Sequence, residues 1–545
     1  MHSTMMNTPL VLTSVMNFAE KVYGNSEIVS VTADNPRHRY TYRDAFKRVR
    51  QLGNALKTLG ASLGDTIGTM AWNDYRHIEL YYATAASGMI CHTVNPRLFA
   101  DQLEYIINHG EDKWLFIDIA FVPLLEPLQE KLPNVKGFII LTNEANMPET
   151  TLRNVQCYET LLAAENDSIE WPELDENHPA SMCYTSGTTG DPKGVVYSHR
   201  STVIHAYGSA LPDTFGVSVK DVILPIVPMF HVNGWGLCYV APMVGSKIVM
   251  PGPRMGDGET VCALINEEKV TLSAGVPTVW LAMINYMETS GETVDSLERI
   301  TVGGAACPLS IMNILKDKYN VEVRHAWGMT ETSPLGTYNT LKPGMEKLSK
   351  EELDLIKVKQ GRPIYGIEVK IVDENNKELP WDGKSSGAVK VRGPWVTQSY
   401  YKSDKVAIDD DGWFETGDVA CIDDEGYMLI TDRTKDVIKS GGEWISSIEL
   451  ENLAVDHPKV VEAAVIGAYH PKWTERPLLL AIVKPGETLT KEELLKWYDG
   501  KVAKWCIPSD CEFVDELPHT ATGKLSKKDL RDKYHDYQWS TDISK

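Results

Sequence analysis

With 545 residues, the chain is too long for one ordinary hydrophobic core, so two or more domains are expected. Its composition, 43% hydrophobic and 24% charged, is that of a soluble globular enzyme. The net charge of −21, from 75 acidic against 54 basic residues, argues against the phosphate attraction that nucleic-acid binders use, while leaving room for a local basic pocket.

Nine cysteines are scattered from Cys91 to Cys511 with no Cys-x-x-Cys pair. That spacing points to reduced thiols in a cytoplasmic setting rather than a disulfide framework or a zinc site. The first ten residues have neither a basic region nor a clean apolar core, so no secretory signal is expected. No stretch approaches the ~18 uninterrupted apolar residues of a spanning helix, so no integral membrane segment is expected.

Leu10 to Ala19 reads as an amphipathic helix, docked on the body or on a partner subunit. The apolar run Leu10 to Val22 motivates an expectation of homodimerisation. Thr41 to Leu59 is a second helix, with Tyr42, Ala45, Phe46, Val49, Leu52 and Leu56 near helical spacing and Gly60 as its stop. Thr66 to Ala71 reads as a strand, Tyr75 to Ala86 as a helix, and Ile90 to Val94, Trp114 to Ile117 and Phe138 to Leu141 as strands. This rhythm suggests parallel sheets covered by helices.

Next comes Tyr184-Thr-Ser-Gly-Thr-Thr-Gly-Asp-Pro-Lys-Gly194, between the apolar stretches Ala180 to Tyr184 and Val195 to His199. It concentrates hydroxyls (Thr185, Ser186, Thr188, Thr189), glycines (Gly187, Gly190, Gly194) and one cation, Lys193. Glycine lets backbone N–H groups turn toward one point, hydroxyls donate, and lysine adds charge. The set suits a polyanion such as a nucleotide's phosphates, although its spacing is not that of a P-loop.

The alternation continues with strands at Val222 to Val227, Lys247 to Met250 and Thr271 to Ala274, and a helix at Pro277 to Met287. Glu346 to Lys359 reads as a solvated surface helix. From Gly361 the pattern turns β-rich, through Ile367 to Val372, Ala388 to Val391 and Met428 to Thr431. A small α/β unit follows, with strands at Val465 to Gly467, Leu478 to Val483 and Glu512 to Val514 and a helix at Lys491 to Trp505. The expected class is α/β: a large N-terminal domain of helix-flanked sheets plus a β-rich subdomain (1–432), and a small mobile α+β C-terminal domain (433–545).

Four further stretches carry chemistry-bearing side chains. His325-Ala-Trp-Gly-Met-Thr-Glu-Thr332 is expected at the carboxyl end of a strand at Val321 to Val323, where open α/β sheets bind ligands. Trp327 offers a flat face for a base, Thr330 a hydroxyl and Glu331 a hard oxygen. Asp411-Gly-Trp-Phe-Glu-Thr-Gly-Asp418 reads as turns bracketing an aromatic pair, with Asp418 able to accept from ribose hydroxyls. Asp432 to Trp444 is a charged turn followed by a Gly-Gly loop, and Pro518 to Leu525 places Lys524 on a Gly-bearing turn. Each alone is also what an ordinary turn or linker carries; their joint occurrence and order is not.

Together these stretches resemble the adenylate-forming superfamily of acyl-CoA synthetases, adenylation domains and luciferases, from about Tyr40 to Lys528. Val227-Pro-Met-Phe-His-Val-Asn-Gly-Trp235 and Ile438-Lys-Ser-Gly-Gly-Glu-Trp-Ile-Ser446 look most like bacterial medium- and long-chain fatty-acyl-CoA ligases and the related 3-(methylthio)propanoate-CoA ligases.

The resemblance implies two half-reactions: a carboxylate attacks the α-phosphate of Mg·ATP to give acyl-AMP and pyrophosphate, then the coenzyme A thiol attacks the acyl carbonyl. It implies that Thr185, Ser186, Gly187, Thr188, Thr189 and Lys193 hold the β- and γ-phosphates. Glu331 with Thr185 would ligate Mg²⁺, and Thr330 would touch the α-phosphate. Gly304, His325, Ala326 and Trp327 would form the adenine slot, with Trp327 in place of the more frequent tyrosine. Asp418 and Arg433 would hold the ribose, and Lys435 and Lys439 also belong to the ATP/AMP-binding set. Lys524 would bridge the acyl carboxylate and the α-phosphate. After adenylation the small domain is expected to rotate about Lys435, bringing Lys439, Gly441, Gly442 and Trp444 to the thioester step.

His231, Trp235 and Gly303 are expected around the acyl group. The run Phe230-His-Val-Asn-Gly carries no carboxylate to hold an α-amine, which favours a plain carboxylic acid. Trp235 as gate of an acyl tunnel and Trp235 as wall of a short pocket stay equally open. A non-catalytic nucleotide-binding relative is the reading from another class. It would be expected to have lost Lys193, Glu331, Asp418 or Lys524, and all four are present.

Overall fold

The computed structural model describes residues 3–185, 191–440, 443–519 and 525–539. These pack as two compact units, one of the described residues of 1–185, 191–368 and 392–414, the other of those of 369–391 and 415–545. Local chemistry explains many of the boundaries. The helix Tyr42–Thr58 starts at a capping box: Thr41 accepts from the Asp44 N–H, and the Asp44 side chain accepts in return from the Thr41 N–H. The predicted apolar stripe of this helix is its buried face.

In the first unit a seven-stranded sheet runs in the order Val155–Cys157, Gly137–Ile140, Asp112–Ile117, Thr66–Met70, Ile90–Thr93, Pro179–Tyr184, Gly194–Ser198. All its pairs are parallel except the last, in which the strands on either side of the hydroxyl- and glycine-rich stretch pair antiparallel. A nine-stranded sheet runs Arg362–Pro363, Leu335–Tyr338, Glu322–Gly328, Arg299–Val302, Leu272–Gly275, Val222–Pro225, Lys247–Met250, Glu27–Ser30, His38–Thr41. It is parallel in the middle and antiparallel at both margins. Beneath the nine-stranded sheet, buried Trp280, Met283, Ile284, Leu264, Ile265 and Leu315 are among the residues of one continuous core.

The second unit contains a four-stranded sheet, ordered Glu368–Val372, Ser386–Arg392, Phe414–Ile422, Met428–Arg433. It also contains a five-stranded sheet built on the long antiparallel pair Val460–His470 and Thr474–Val483. The helix Ser447–Val455, which the sequence reading did not draw, packs on that pair and buries Leu450 and Ala454 in its core.

Four expectations change. The N-terminal helix spans Leu12–Tyr23 and buries Leu12, Val15, Met16 and Ala19, and the Leu12 N–H donates to His199 Nδ1 at 3.1 Å, so it docks on the body of its own unit. The strand expected at Val321 to Val323 runs on to Gly328. Asp418, read at the end of a run of turns, instead sits inside the nine-residue strand Phe414–Ile422, although Gly417 has a φ of +76°. The helix expected to reach Trp505 stops at Lys496, and Gly500 follows with a φ of +75°, a conformation that ends helices.

One side chain ties the two large sheets together. Asn73, buried just beyond the strand Thr66–Met70, accepts from the Met229 N–H at 2.7 Å and donates to the carbonyls of Pro225 (2.9 Å) and Val227 (2.8 Å). These three groups lie on the segment leaving the strand Val222–Pro225. Replacing the amide by an apolar group leaves three buried backbone groups unpaired, each costing about 1–3 kcal/mol. Asn73→Leu is therefore expected to lower stability by roughly 3 kcal/mol or more, read as a lower urea midpoint of the first unfolding transition. An unchanged midpoint contradicts this role.

Candidate active site

The carboxyl ends of the parallel strands in the nine-stranded sheet gather the residues expected around the base and the acyl group. Gly275, Val302 and His325 are register neighbours across three adjacent strands. Gly303 and Gly304 follow directly after Val302, and Gly304 takes a φ of +78°, which glycine adopts without steric cost. Beyond His325 the strand leaves its parallel partner and pairs antiparallel with Leu335–Tyr338, so Ala326 and Trp327 project past the parallel edge.

Trp327 is buried, and its ring is admitted by Gly336. A Cβ at position 336 would clash with the indole. His325 is fully covered, its Nδ1 lies 3.0 Å from the Val358 carbonyl, and burial lowers its pKa, so the ring is neutral. Trp235 and Gly303, both expected at the acyl group, come together: a Cβ on Gly303 would lie 3.0 Å from the Trp235 ring. His231 stands half-buried at the start of the turn carrying Trp235.

The residues expected on the phosphate side are joined by a side chain that sequence reasoning did not single out. At the hairpin the Thr185 N–H donates to the Lys193 carbonyl at 2.9 Å, and the Lys193 N–H to Thr185 Oγ1 at 3.2 Å. The Lys193 ammonium then sits 4.7 Å over the ring of Tyr400. The Tyr400 hydroxyl donates to Glu331 Oε1 at 2.8 Å. Burial, and then the Glu331 carboxylate, push the Tyr400 pKa up, so the phenol stays protonated and donates. Cation, aromatic ring and buried carboxylate thus form one line from the hairpin to the motif at 325–332.

The backbone supports that line. The Glu331 carbonyl accepts from the Thr397 N–H at 2.8 Å, the Gly194 carbonyl from the Tyr401 N–H at 2.8 Å, and the Thr330 carbonyl from the Tyr197 hydroxyl at 2.7 Å. The only sequence signal for Tyr400 was its place in an aromatic pair, Tyr400-Tyr401, which reads as core.

Among the described residues no three His, Cys, Asp or Glu side chains gather as a metal cage. A magnesium ion needs none, because it takes one or two carboxylates and completes its shell with waters and substrate phosphates. The buried Glu331 carboxylate is a donor of that kind, so these residues fit the ion.

In the second unit, Asp418 and Arg433 are cross-strand partners, and Arg433 Nε meets Asp418 Oδ1 at 2.7 Å with the carboxylate buried and the guanidinium half exposed. Lys435 lies on an exposed turn beyond them. Lys439 and Trp444 face each other across the paired strands Ile438–Ser440 and Glu443–Ile445, the ammonium 5.6 Å from the ring. Ser186, Gly187, Thr188, Thr189, Gly441, Gly442 and Lys524 lie outside the described residues.

Comparison with known proteins gives consistent results. The model of the family described as AMP-binding enzyme matches residues 18–401, and that of the AMP-binding enzyme C-terminal domain matches residues 449–524. The chain is 48% identical over 532 residues to the 3-methylmercaptopropionyl-CoA ligase of Ruegeria lacuscaerulensis, covering 98% of each. It is 47% identical over 532 residues to the medium-chain-fatty-acid–CoA ligase of Ectopseudomonas oleovorans, covering 98% of this chain and 97% of that one. The crystal structure of the anthranilate CoA ligase AuaEII with anthranoyl-AMP superimposes with a TM-score of 0.84 at 25% identity, covering 97% and 98% of the two chains.

The line through Tyr400 predicts an effect on nucleotide affinity. Tyr400→Phe keeps the ring under Lys193 and removes the donor to Glu331. ATP binding, measured by titration calorimetry, is expected to weaken about tenfold, equivalent to ~1.4 kcal/mol. Wild-type affinity in a folded variant contradicts the link.

Proposed function

On the premise that this chain belongs to the AMP-binding enzyme family and is an AMP-forming acyl-CoA ligase, with ATP and coenzyme A as substrates, we propose that it activates medium- to long-chain fatty acids. The observation that carries the reading is the acyl side of the site. The run Phe230 to Trp235 presents no carboxylate, and Trp235 packs buried against Gly303. A plain apolar tail is what such a wall accepts, since each buried CH₂ contributes about 0.8 kcal/mol.

Two anions must be brought into contact, and charge gathers on the phosphoryl oxygens as the acid oxygen attacks the α-phosphate. In this proposal Thr185 and the stretch through Lys193 hold the β- and γ-phosphates. Glu331, with Thr185, is the carboxylate that holds magnesium, and Thr330 contacts the α-phosphate. Magnesium, when bound, supplies neutralisation of phosphate charge. Gly304, His325, Ala326 and Trp327 hold the adenine, and neutral His325 adds no charge there. Asp418, paired with Arg433, accepts from the ribose hydroxyls.

Lys524 bridges the acid and the α-phosphate, a placement in which one positioned donor contributes roughly 10²–10³ in rate. The thiol of coenzyme A then attacks the acyl carbonyl and AMP leaves, with Lys439, Gly441, Gly442 and Trp444 serving that step. The division at residue 432 with Lys435 as hinge, a cytoplasmic location and a homodimer belong to the same proposal. No helix among the described residues is long and apolar enough to cross a membrane.

A second reading is a short thioether acid such as 3-(methylthio)propanoate, in which the Trp235 ring beside Gly303 closes the end of a short pocket. The test follows AMP release with Mg·ATP and coenzyme A across saturated acids of increasing length, with the thioether acid included. A kcat/KM that rises with chain length is the expected result, and a sharp optimum at the thioether acid transfers the proposal to the second reading. In the same assay Lys524→Ala is expected to abolish acyl-AMP formation while leaving thioester formation from supplied acyl-AMP. Loss of both half-reactions contradicts its role.

A further inference from the structure

The backbone between His231 and Leu237 does something L-residues avoid. Five consecutive residues, Val232 to Gly236, sit in the left-handed region, with φ of 45°, 50°, 57°, 56° and 75°. Glycine takes this conformation freely, but Val232 and Trp235 do not. A β-branched residue such as Val232 is the least suited to it. Strain of this kind persists only where the surroundings over-determine it.

The fastening is one buried side chain. Asn233 Nδ2 donates to Ser181 Oγ at 2.8 Å, and its Oδ1 accepts from the Cys183 thiol at 3.3 Å. Burial pushes the Cys183 thiol up to about 11, so it keeps its proton, and the Thr93 hydroxyl lies 3.0 Å from the same sulfur. Ser181 and Cys183 belong to the strand Pro179–Tyr184, which runs directly into Thr185 and the hairpin. Asparagine is also among the side chains most tolerant of the left-handed region. Two residues along the same turn is Trp235, with its ring on Gly303.

We propose that Asn233 is a positioning residue for acid selection: its amide bolts the left-handed turn to the strand entering the hairpin, and so sets where the Trp235 ring stands against Gly303. The proposal rests on the acyl-pocket reading of Trp235 and Gly303. Asn233 does not touch the acid; it acts through Trp235. One strand thereby carries both the hairpin and the anchor of the acyl wall.

The experiment measures kcat/KM across a homologous series of saturated acids, and KM for ATP, in the wild-type enzyme and in Asn233→Gly, Ser181→Ala and Trp235→Ala. Asn233→Gly leaves the left-handed backbone accessible and removes only the amide. The expected result is a shift of about tenfold in the ratio of kcat/KM between neighbouring chain lengths, the weight of ~1.4 kcal/mol. KM for ATP is expected to stay within about twofold, well below that tenfold step. Ser181→Ala, which leaves the turn untouched, is expected to shift the ratio in the same direction by a smaller factor. Should Asn233→Gly fail to fold, Ser181→Ala decides: the same shift supports the proposal and a wild-type length profile overturns it. An equal loss for every acid in Asn233→Gly overturns it, as a merely structural role would give. A profile moved by Trp235→Ala but not by Asn233→Gly overturns the positioning role alone. A profile unmoved by Trp235→Ala overturns the acyl-pocket reading, and the proposal with it.

Discussion

A carboxylate and a triphosphate repel each other, and any protein that joins them must hold fixed positive charge and hard oxygen ligands where water would otherwise do the screening. In the first unit the residues proposed to meet this constraint form a line of three side chains: the Lys193 ammonium over the Tyr400 ring, and the Tyr400 hydroxyl on the Glu331 carboxylate. The opposite charges are held apart by an aromatic spacer. Lys193 is exposed, while Glu331 is buried and keeps a donor on one oxygen. The aromatic ring keeps the two charged groups apart, as the proposed roles of Lys193 at the phosphates and Glu331 at magnesium require.

The sheets explain why that line can be built. The pair Pro179–Tyr184 and Gly194–Ser198 is the antiparallel margin of an otherwise parallel sheet, and the strand Glu322–Gly328 is where the second sheet changes from parallel to antiparallel. Each change of direction lets a strand run past its parallel neighbour and carry polar residues beyond the sheet's edge. Asn73 fixes the segment after Pro225, and Asn233 fixes the turn after His231. Two asparagines at loop positions thus join the two sheets where the site residues emerge.

Much of this was legible in the sequence. The strands on both sides of the hairpin, the helix Tyr42–Thr58 and the helix Tyr75–Ala86 follow from apolar periodicity, capping and stop signals. The charged and hydroxyl-bearing motifs stood out as candidate ligand-side residues because their composition is unusual for a core. Residues whose meaning depends on partners far along the chain were not legible. Tyr400 meets Glu331 across 69 positions, and Asn233 meets Ser181 and Cys183 across 52 and 50. Asp418 was misread locally because Asp411, Gly412 and Gly417 are turn-formers, yet strand pairing with Met428–Arg433 overrides that preference. The helix after Lys491 was overextended because its periodicity continues past the point where Gly500 turns the chain.

The central claim is that an acid is activated as its adenylate before the thiol enters. Isotope exchange between ATP and pyrophosphate, run with a fatty acid and magnesium but without coenzyme A, tests this most directly. Exchange is expected that depends on the acid and proceeds with no thiol present. Exchange that appears only when coenzyme A is added, or that ignores the acid, would contradict it.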